Sequence, residues 1–228
     1  MKNIEKKSID WWNRKNKPTE PLCPNLNIFR LLKINNFKFD SRKSVFDIGF
    51  GNGENLLELK KRGLSIFGLD YRDKLVKYFI KKNKLNKKNF FFSNLNKNFP
   101  NIKKKFNLIL MCDVLSYVEY KNHKKIFEWV DGHLNKNGLF LFSYTQNDLV
   151  LKKKKHNDNW EISKKFYKIE KKNFDKKNPM KFLKFKKILS CFKETQLNLL
   201  ASHFDLSTYS RKNSSKIRIG RFILMEKK

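Results

Sequence analysis

Three of the chain's eight glycines fall within five residues, directly after a short apolar run that contains one acid. The run is Val45–Ile48, read Val-Phe-Asp-Ile, and Gly49, Gly51 and Gly53 follow at alternate positions. Glycine loses the most conformational freedom on folding, so it is used where the backbone bends sharply or a ligand approaches the main chain. The pattern therefore predicts a buried strand that turns into a ligand-binding loop.

The spacing of these glycines distinguishes two kinds of cofactor loop. A dinucleotide loop reads G-x-G-x-x-G, and its third glycine allows close helix–strand packing. Counting from Gly49, that place holds Glu54, so the dinucleotide pattern fails. The observed D-x-G-x-G-x-G resembles motif I of the class I S-adenosylmethionine-dependent methyltransferases, in which the loop passes under the methionine part of the cofactor. A plain glycine-rich turn is the alternative that this motif alone leaves open.

The composition is that of an ordered intracellular domain. A length of 228 residues suits one α/β domain with an added cap. Hydrophobic residues at 39% argue against disorder. We expect no membrane insertion, because no apolar run approaches the ~20 residues that span a bilayer. Cys23, Cys112 and Cys191 are odd in number and widely spaced, which is typical of reduced thiols in a cytoplasmic protein.

The formal net charge of +32 raises the question of nucleic-acid binding. Only eight of the 53 basic residues are Arg, and Ala201 is the only alanine, whereas Asn and Phe are abundant. This skew follows the A/T-rich codons, so it indicates a base-composition bias that inflates Lys everywhere. Nucleic acid is therefore a partner that the charge permits but does not favour.

Apolar runs alternate with amphipathic stretches from residue 45 to 142, which predicts βαβ units and a mostly parallel sheet. The predicted strands are 45–48, 65–70, 90–92, 106–111 and 139–143. The predicted helices are 54–62, 74–82 and 124–134, with Gly63 as the stop of the first. Near the end, 195–204 suits a helix, and 205–210 and 217–226 suit antiparallel strands. The expected fold is α/β, a doubly wound, mostly parallel seven-stranded sheet with helices on both faces and an antiparallel C-terminal strand.

Four segments are expected within a single domain. Residues 1–44 form an N-terminal helical segment with a helix from Asn25, and 45–146 form the cofactor-binding core. Residues 147–190 are strongly basic with few strand signals and are interpreted as a cap or insertion. Residues 191–228 complete the sheet.

Asp70 ends the second predicted strand, 17 residues after Gly53. An acid at this place in a nucleotide-binding βαβ fold accepts both ribose hydroxyls. The alternative is an N-cap for the next helix. Tyr71 is then placed to pack near the ribose or adenine, or it is a surface aromatic.

Two later segments resemble the family's third and fourth motifs. After Phe90–Phe92, the chain offers Ser93 and Asn94 where the family often has Asp; either contacts the adenine amino group or serves as a turn residue. The run from residue 106 to 115 matches the fourth motif with Asn107 in place of Asp. It makes Cys112 and Asp113 site candidates, because ligands bind beyond the carboxyl ends of such strands.

The turn before the fifth strand resembles the family's Leu-Lys-Pro-Gly-Gly, with Asn137 in place of one glycine; Asn enters the left-handed region more readily than most residues. His123, His133, His156 and His203 make no metal-ligand spacing, so we expect no metal. Trp11 and Trp12 either cover the cofactor or an acceptor, or pack on the core.

The resemblance implies methyl transfer from S-adenosyl-L-methionine by in-line displacement, with a small-molecule or sugar-containing acceptor as the first choice. An RNA methyltransferase that uses the basic cap, and a non-catalytic S-adenosylmethionine-binding protein, are the alternatives. Asp113, Tyr117 and Tyr144 are weak candidates for a general base. The implied cofactor-binding residues are Asp47, Gly49, Phe50, Gly51, Asn52, Gly53, Asp70, Tyr71, Ser93, Asn94, Cys112 and Asp113.

Overall fold

The computed structural model describes residues 23–145, 151–153, 160–162, 183–211 and 214–228. These residues form one sheet with helices packed against it. The strands are β1 Ser44–Ile48, β2 Ser65–Asp70, β3 Phe90–Phe92, β4 Phe106–Met111, β5 Leu134–Thr145, β6 Leu151–Lys153, β7 Trp160–Ile162, β8 Leu197–Arg211 and β9 Ser214–Lys227. The helices are α1 Leu26–Ile34, α2 Glu54–Lys61, α3 Asp73–Lys82, α4 His123–His133 and α5 Phe185–Ser190, with short 3-10 turns at Lys87–Asn89, Leu115–Tyr117 and Tyr120–Asn122.

The main sheet has the order β3-β2-β1-β4-β5-β9-β8, and its first five strands are parallel. β9 runs antiparallel between β5 and β8, and the short pair β6–β7 borders β9 beyond the end of β5. The predicted doubly wound, seven-stranded, mostly parallel sheet with an antiparallel C-terminal strand is confirmed. The strand order reverses between β1 and β4, where open α/β sheets bind their ligands.

Apolar side chains cover both faces of the sheet and form two cores. One face packs against α4 and α5 through residues such as Phe127 and Ile188. The other packs against α1, α2 and α3 through residues such as Leu32, Leu56 and Phe79. No helix within the described residues has the length and apolar character needed to cross a bilayer.

Two local predictions about left-handed residues are confirmed. α2 ends before Gly63, whose φ is +95°, and Leu64 N donates to Leu59 O at 3.1 Å in the closing turn. Asn137 has φ +60°, and it lies in the interruption of the β4–β5 register between residues 134 and 139. The chain therefore turns where predicted, although β5 already begins at Leu134.

The helix predicted for 195–204 is wrong, because β8 begins at Leu197 and pairs along β9. The register shifts between Leu199 and Ala201, which interrupts the two-residue alternation that would have marked a strand. The segment 147–190, where few strand signals were expected, contains β6, β7 and α5. Apart from residues 183 and 184, its other residues lie outside the described residues, as does the N-terminal segment before residue 23 with Trp11 and Trp12.

Candidate functional site

The glycine loop follows β1 and adopts a left-handed backbone at all three alternate positions. The φ angles are +74° at Gly49, +60° at Gly51 and +86° at Gly53. A Cβ atom at Gly49 would lie 2.4 Å from Val114 Cγ2, and one at Gly53 would lie 2.0 Å from Phe79 Cε2. A Cβ at Gly51 would meet nothing within 4 Å. Packing therefore requires two of the glycines, whereas the third leaves open space beside the loop.

The other residues of the loop anchor it to the sheet. Phe50 is 4% exposed, and its ring centroid lies 4.9 Å from that of Phe79, so its side chain belongs to the core. The backbone N–H groups of Gly49 and Phe50 both donate to Leu69 O, at 2.7 and 3.2 Å. Asn52 is half-buried. The loop is thus fixed against β2, which carries the predicted ribose acid at its end.

Asp70 lies at the end of β2 and joins that strand to the glycine loop. Its Oδ2 accepts a hydrogen bond from Gly51 N at 3.1 Å, and its Oδ1 accepts from Arg72 N at 3.0 Å and Arg72 Nε at 3.2 Å. Both side chains of the Asp70–Arg72 ion pair are almost fully buried. The N-cap of α3 is Arg72, so the alternative reading of Asp70 as a helix cap is wrong. These bonds hold the carboxylate in one orientation beside the loop and leave it further acceptor capacity.

Asp47 is a second buried acid at the same edge of the sheet and is 2% exposed. Burial, together with the negative charges of Asp70 and Glu54, raises the pKa of the Asp47 carboxyl to about 8. Burial and the charges of Asp47 and Asp113 likewise raise the pKa of the Cys112 thiol. The carboxyl ends of β1, β2 and β4 therefore bring Asp47, Asp70 and Asp113 to one edge of the sheet, where a negative charge on Asp47 is poorly solvated.

Cys112 and Asp113 follow β4, as predicted, and a residue of β5 holds Asp113 in place. Asp113 is exposed and has φ +57°. Its N–H lies 3.1 Å from Ser143 O and 3.0 Å from Ser143 Oγ, and Ser143 Oγ donates to Asp113 Oδ1 at 3.3 Å. Ser143 is 1% exposed. This contact was missed in the sequence, because only the β4–β5 register brings the two residues together.

The three tyrosine candidates lie in different environments. Tyr71 is half-buried, its hydroxyl has no hydrogen-bond partner among the described residues, and burial raises its pKa above the ordinary value. Tyr117 is half-buried and lies near enough to influence the pKa of Tyr71. Tyr144 is fully buried in the core, and its ring centroid lies 6.3 Å from that of Phe142. Tyr71 and Tyr117 therefore keep some exposed surface, whereas Tyr144 has none with which to meet an acceptor.

Ser93 and Asn94 follow β3, next to the end of β2, and both make turn bonds. Ser93 N donates to Asp70 O at 3.1 Å, and Ser93 Oγ donates to Asn98 O at 2.8 Å. Asn94 Oδ1 accepts from Asn96 N at 3.0 Å. The turn role that the sequence left open is therefore present in both side chains, and contact with an adenine stays a prediction.

Two residues singled out in the sequence hold the scaffold together. Asn107 Oδ1 accepts from Ser44 N at 3.0 Å, so the amide in place of the family's acid still holds the start of β1. His123 is fully buried, and its Nε2 lies 3.2 Å from the carbonyl oxygens of Leu115 and Val118. Within the described ranges, no group of three or more His, Cys, Asp or Glu residues could hold a metal ion. His156 lies outside those ranges.

A family model described as "Methyltransferase domain" matches residues 23–210. A comparison with curated protein sequences gave no match. Among solved structures, an S-adenosylmethionine-dependent methyltransferase from Clostridium acetobutylicum is 16% identical, with a TM-score of 0.58 over 97% of this chain and 91% of that one. Magnesium protoporphyrin IX methyltransferase from Synechocystis, with bound SAH, is 12% identical, with a TM-score of 0.62 over 100% and 97%. A structure from work on the conversion of a disulfide bond into a thioacetal group during echinomycin biosynthesis is 11% identical, with a TM-score of 0.62 over 93% and 85%.

Proposed function

Since the chain belongs to the class I S-adenosylmethionine-dependent methyltransferases, whose cofactor is S-adenosyl-L-methionine, we propose that it methylates a small-molecule or sugar-containing acceptor. The cofactor supplies an electrophilic methyl group on a sulfonium. The protein's main task is then to hold the acceptor nucleophile in line with that carbon, and orientation of this kind lowers a barrier substantially.

The observation that carries the proposal is the hydrogen bond between Gly51 N and Asp70 Oδ2. It places an open left-handed glycine and a buried, oriented carboxylate side by side at the carboxyl ends of β1 and β2, next to the strand-order reversal. We assign the ribose hydroxyls to Asp70, the methionine part to the loop from Gly49 to Gly53, and the adenine side to Tyr71, Ser93 and Asn94. Arg72, which the sequence did not single out, is a positioning residue because it orients Asp70.

The charge of the site supports a cationic cofactor. Asp47 is buried beside Asp70, and its raised pKa shows that a negative charge there lacks solvation. A sulfonium and an ammonium close to this edge would favour the ionised carboxylate. Asp47 therefore contributes affinity for a cation that a neutral side chain of the same shape would not provide.

On the acceptor side, Asp113 and Tyr117 are the residues that extend beyond β4. Asp113 is exposed and oriented by Ser143, so it is the better placed of the two to accept a proton. A general base is needed only if the acceptor must lose a proton during transfer. We propose Asp113 for that role and Ser143 as its positioning residue.

Two structural neighbours support a small acceptor: one is named for magnesium protoporphyrin IX, and one comes from echinomycin biosynthesis. RNA methylation through a basic cap at 147–190 is the alternative, and most of that segment lies outside the described residues. The four-segment division of the chain and a cytoplasmic location likewise stay predictions.

The first experiment is calorimetric titration of the protein with S-adenosyl-L-methionine. Asp70→Ala should weaken binding at least about tenfold, because a buried charge-assisted hydrogen bond is lost. The matched control is Asp73→Ala, which removes an exposed acid on α3 and should leave the affinity unchanged. Equal affinity in the parent and Asp70→Ala would overturn the assigned cofactor site.

The acceptor is tested by methyl transfer from tritium-labelled cofactor into fractionated extract of the source organism. Label in small molecules or glycans supports the proposal, and label in RNA replaces it with the alternative. Cofactor binding without label in any fraction would instead favour a non-catalytic binding protein. Asp113→Asn should lower the rate without weakening cofactor binding, if the acceptor must be deprotonated.

A further inference from the structure

A groove of about 630 Å³ is bounded by α1, by the loop that follows it and by Arg62, the residue after α2. Three phenylalanine rings line it, those of Phe29, Phe37 and Phe39, all half-buried. The rings of Phe37 and Phe39 meet edge to face at 5.5 Å. α2 starts directly after the glycine loop and runs about 12 Å to the groove at its other end. The groove is therefore separate from the methyl-transfer site.

Apart from Asn36, the remaining lining is cationic. Arg30, Lys33, Lys38 and Arg62 surround the rings, and the described lining contains no acid. The Arg62 guanidinium lies 4.9 Å from the centroid of Phe29, and the nearby Lys43 ammonium lies 4.5 Å from that of Phe37. The adjacent acids are engaged, since Asp40 pairs with Arg42, and Glu58 pairs with Arg62. The groove thus combines aromatic surface with an excess of positive charge.

We propose that this groove binds single-stranded RNA. Basic grooves lined with aromatic side chains bind single strands because bases stack on the rings while cations contact the phosphates. A duplex cannot use the rings, since its bases are already stacked on one another. An acidic peptide would satisfy the cations but would bring no base to stack on the phenylalanine rings. Charge complementarity and the half-buried phenylalanine rings of the lining together favour a single-stranded polynucleotide.

The test must separate the groove from the general charge of a +32 chain. The groove variant is Lys33→Glu with Lys38→Glu, and the control is Lys74→Glu with Lys81→Glu on the exposed side of α3. Both double variants change the net charge equally. Binding of the full chain to a fluorescent oligouridine of about 12 nucleotides is followed by anisotropy, a length that spans a typical single-strand site.

The groove variant should bind about tenfold or more weakly than the parent, and the control less than about threefold. For single strands, each phosphate contact contributes roughly 0.7 to the slope of log K against log salt. Loss of two phosphate contacts should therefore also reduce the magnitude of this slope by about 1.4. Equal losses in the two variants would overturn the proposal, because they would show that only the total charge matters.

A ring variant tests stacking independently of charge. Phe37→Leu should weaken binding to oligouridine while leaving binding to poly-glutamate unchanged, with thermal unfolding confirming that the variant is folded. Binding of poly-glutamate as tight as that of oligouridine would overturn the nucleic-acid assignment. If uridine monophosphate at equal phosphate concentration displaces the oligonucleotide, the groove binds a free nucleotide, and the proposal that it binds a polymer is overturned. None of these measurements depends on methyl transfer, so they stand or fall separately from the proposed function.

Discussion

Asp47→Asn should stabilise the fold at neutral pH, because it removes a buried carboxyl whose ionisation opposes folding. Burial and two neighbouring acids raise the pKa of Asp47 from 3.8 to about 8. One pKa unit corresponds to about 1.4 kcal/mol, and about three units separate the ordinary value from pH 7. At pH 7 the folded protein therefore keeps a proton that the unfolded chain has lost, at a cost of up to about 4 kcal/mol of folding free energy. Asn has the shape of the neutral acid and carries no such cost.

The sign of the pH dependence follows from the raised pKa. Between about pH 4 and pH 8 the folded protein keeps a proton on Asp47 that the unfolded chain has lost. The stability of the parent therefore falls as the pH rises through this window and levels off above the folded pKa. The advantage of Asp47→Asn should be small near pH 4.5 and should grow by up to about 1.4 kcal/mol per pH unit.

Urea unfolding followed by circular dichroism at pH 5, 6, 7 and 8 measures this difference. Asp73→Asn is the matched control, because the Asp73 side chain on α3 is about half exposed and pairs with Lys77 in the following turn. Its effect should stay within about 0.5 kcal/mol, as for most surface substitutions. A difference between Asp47→Asn and the parent that does not grow from pH 5 to pH 8 would refute the reasoning.

Other substitutions test the site and its scaffold. Cofactor binding at pH 7 should release up to about one proton, from the Asp47 carboxyl. The release is measured as a dependence of the calorimetric heat on the ionisation enthalpy of the buffer, and Asp47→Asn should abolish it. Gly53→Ala should prevent stable folding, since its Cβ would lie 2.0 Å from the Phe79 ring. Gly51→Ala should fold, with a loss of about 1–2 kcal/mol in the free energy of unfolding, and should weaken cofactor binding. Asn107→Asp should keep the acceptor for Ser44 N and leave the unfolding midpoint nearly unchanged, whereas Asn107→Leu should cost about 1–3 kcal/mol.

The parts of the fold that the sequence predicts are those whose signals are local. The glycine loop, the acid at the end of β2 and the left-handed Asn137 each depend on a few neighbouring residues, and the structure contains all three conformations. β8 shows the limit of such signals. Its apolar residues suit a helix as well as a strand, and the bulge near Leu200 removes the alternation that would decide between them. Pairing with β9 decides the outcome, and that pairing is a tertiary contact.

The positions of the candidate site residues at the strand ends were predictable to the same extent. Residues that leave strands β1, β2 and β4 could be named, because the carboxyl ends of parallel strands share one edge. Ser143 could not be named, because its bond to Asp113 depends on how β5 is aligned beside β4. Arg72 was missed for a related reason: its burial against Asp70 is set by the packing of α3, and basic residues are too common in this chain to mark one as special.

The acids at the site contrast with the basic composition of the chain. Composition predicts a uniformly positive protein, yet Asp47, Asp70 and Asp113 lie at adjacent strand ends, two of them buried. Burial places these carboxylates in a medium where their charge is little screened, so they act on one another and on Cys112 more strongly than distant surface lysines do. A cation that enters this edge therefore favours ionisation of Asp47, and an anion opposes it. The surface lysines are instead free to serve a different, negatively charged partner, as the groove beside α1 does under our proposal.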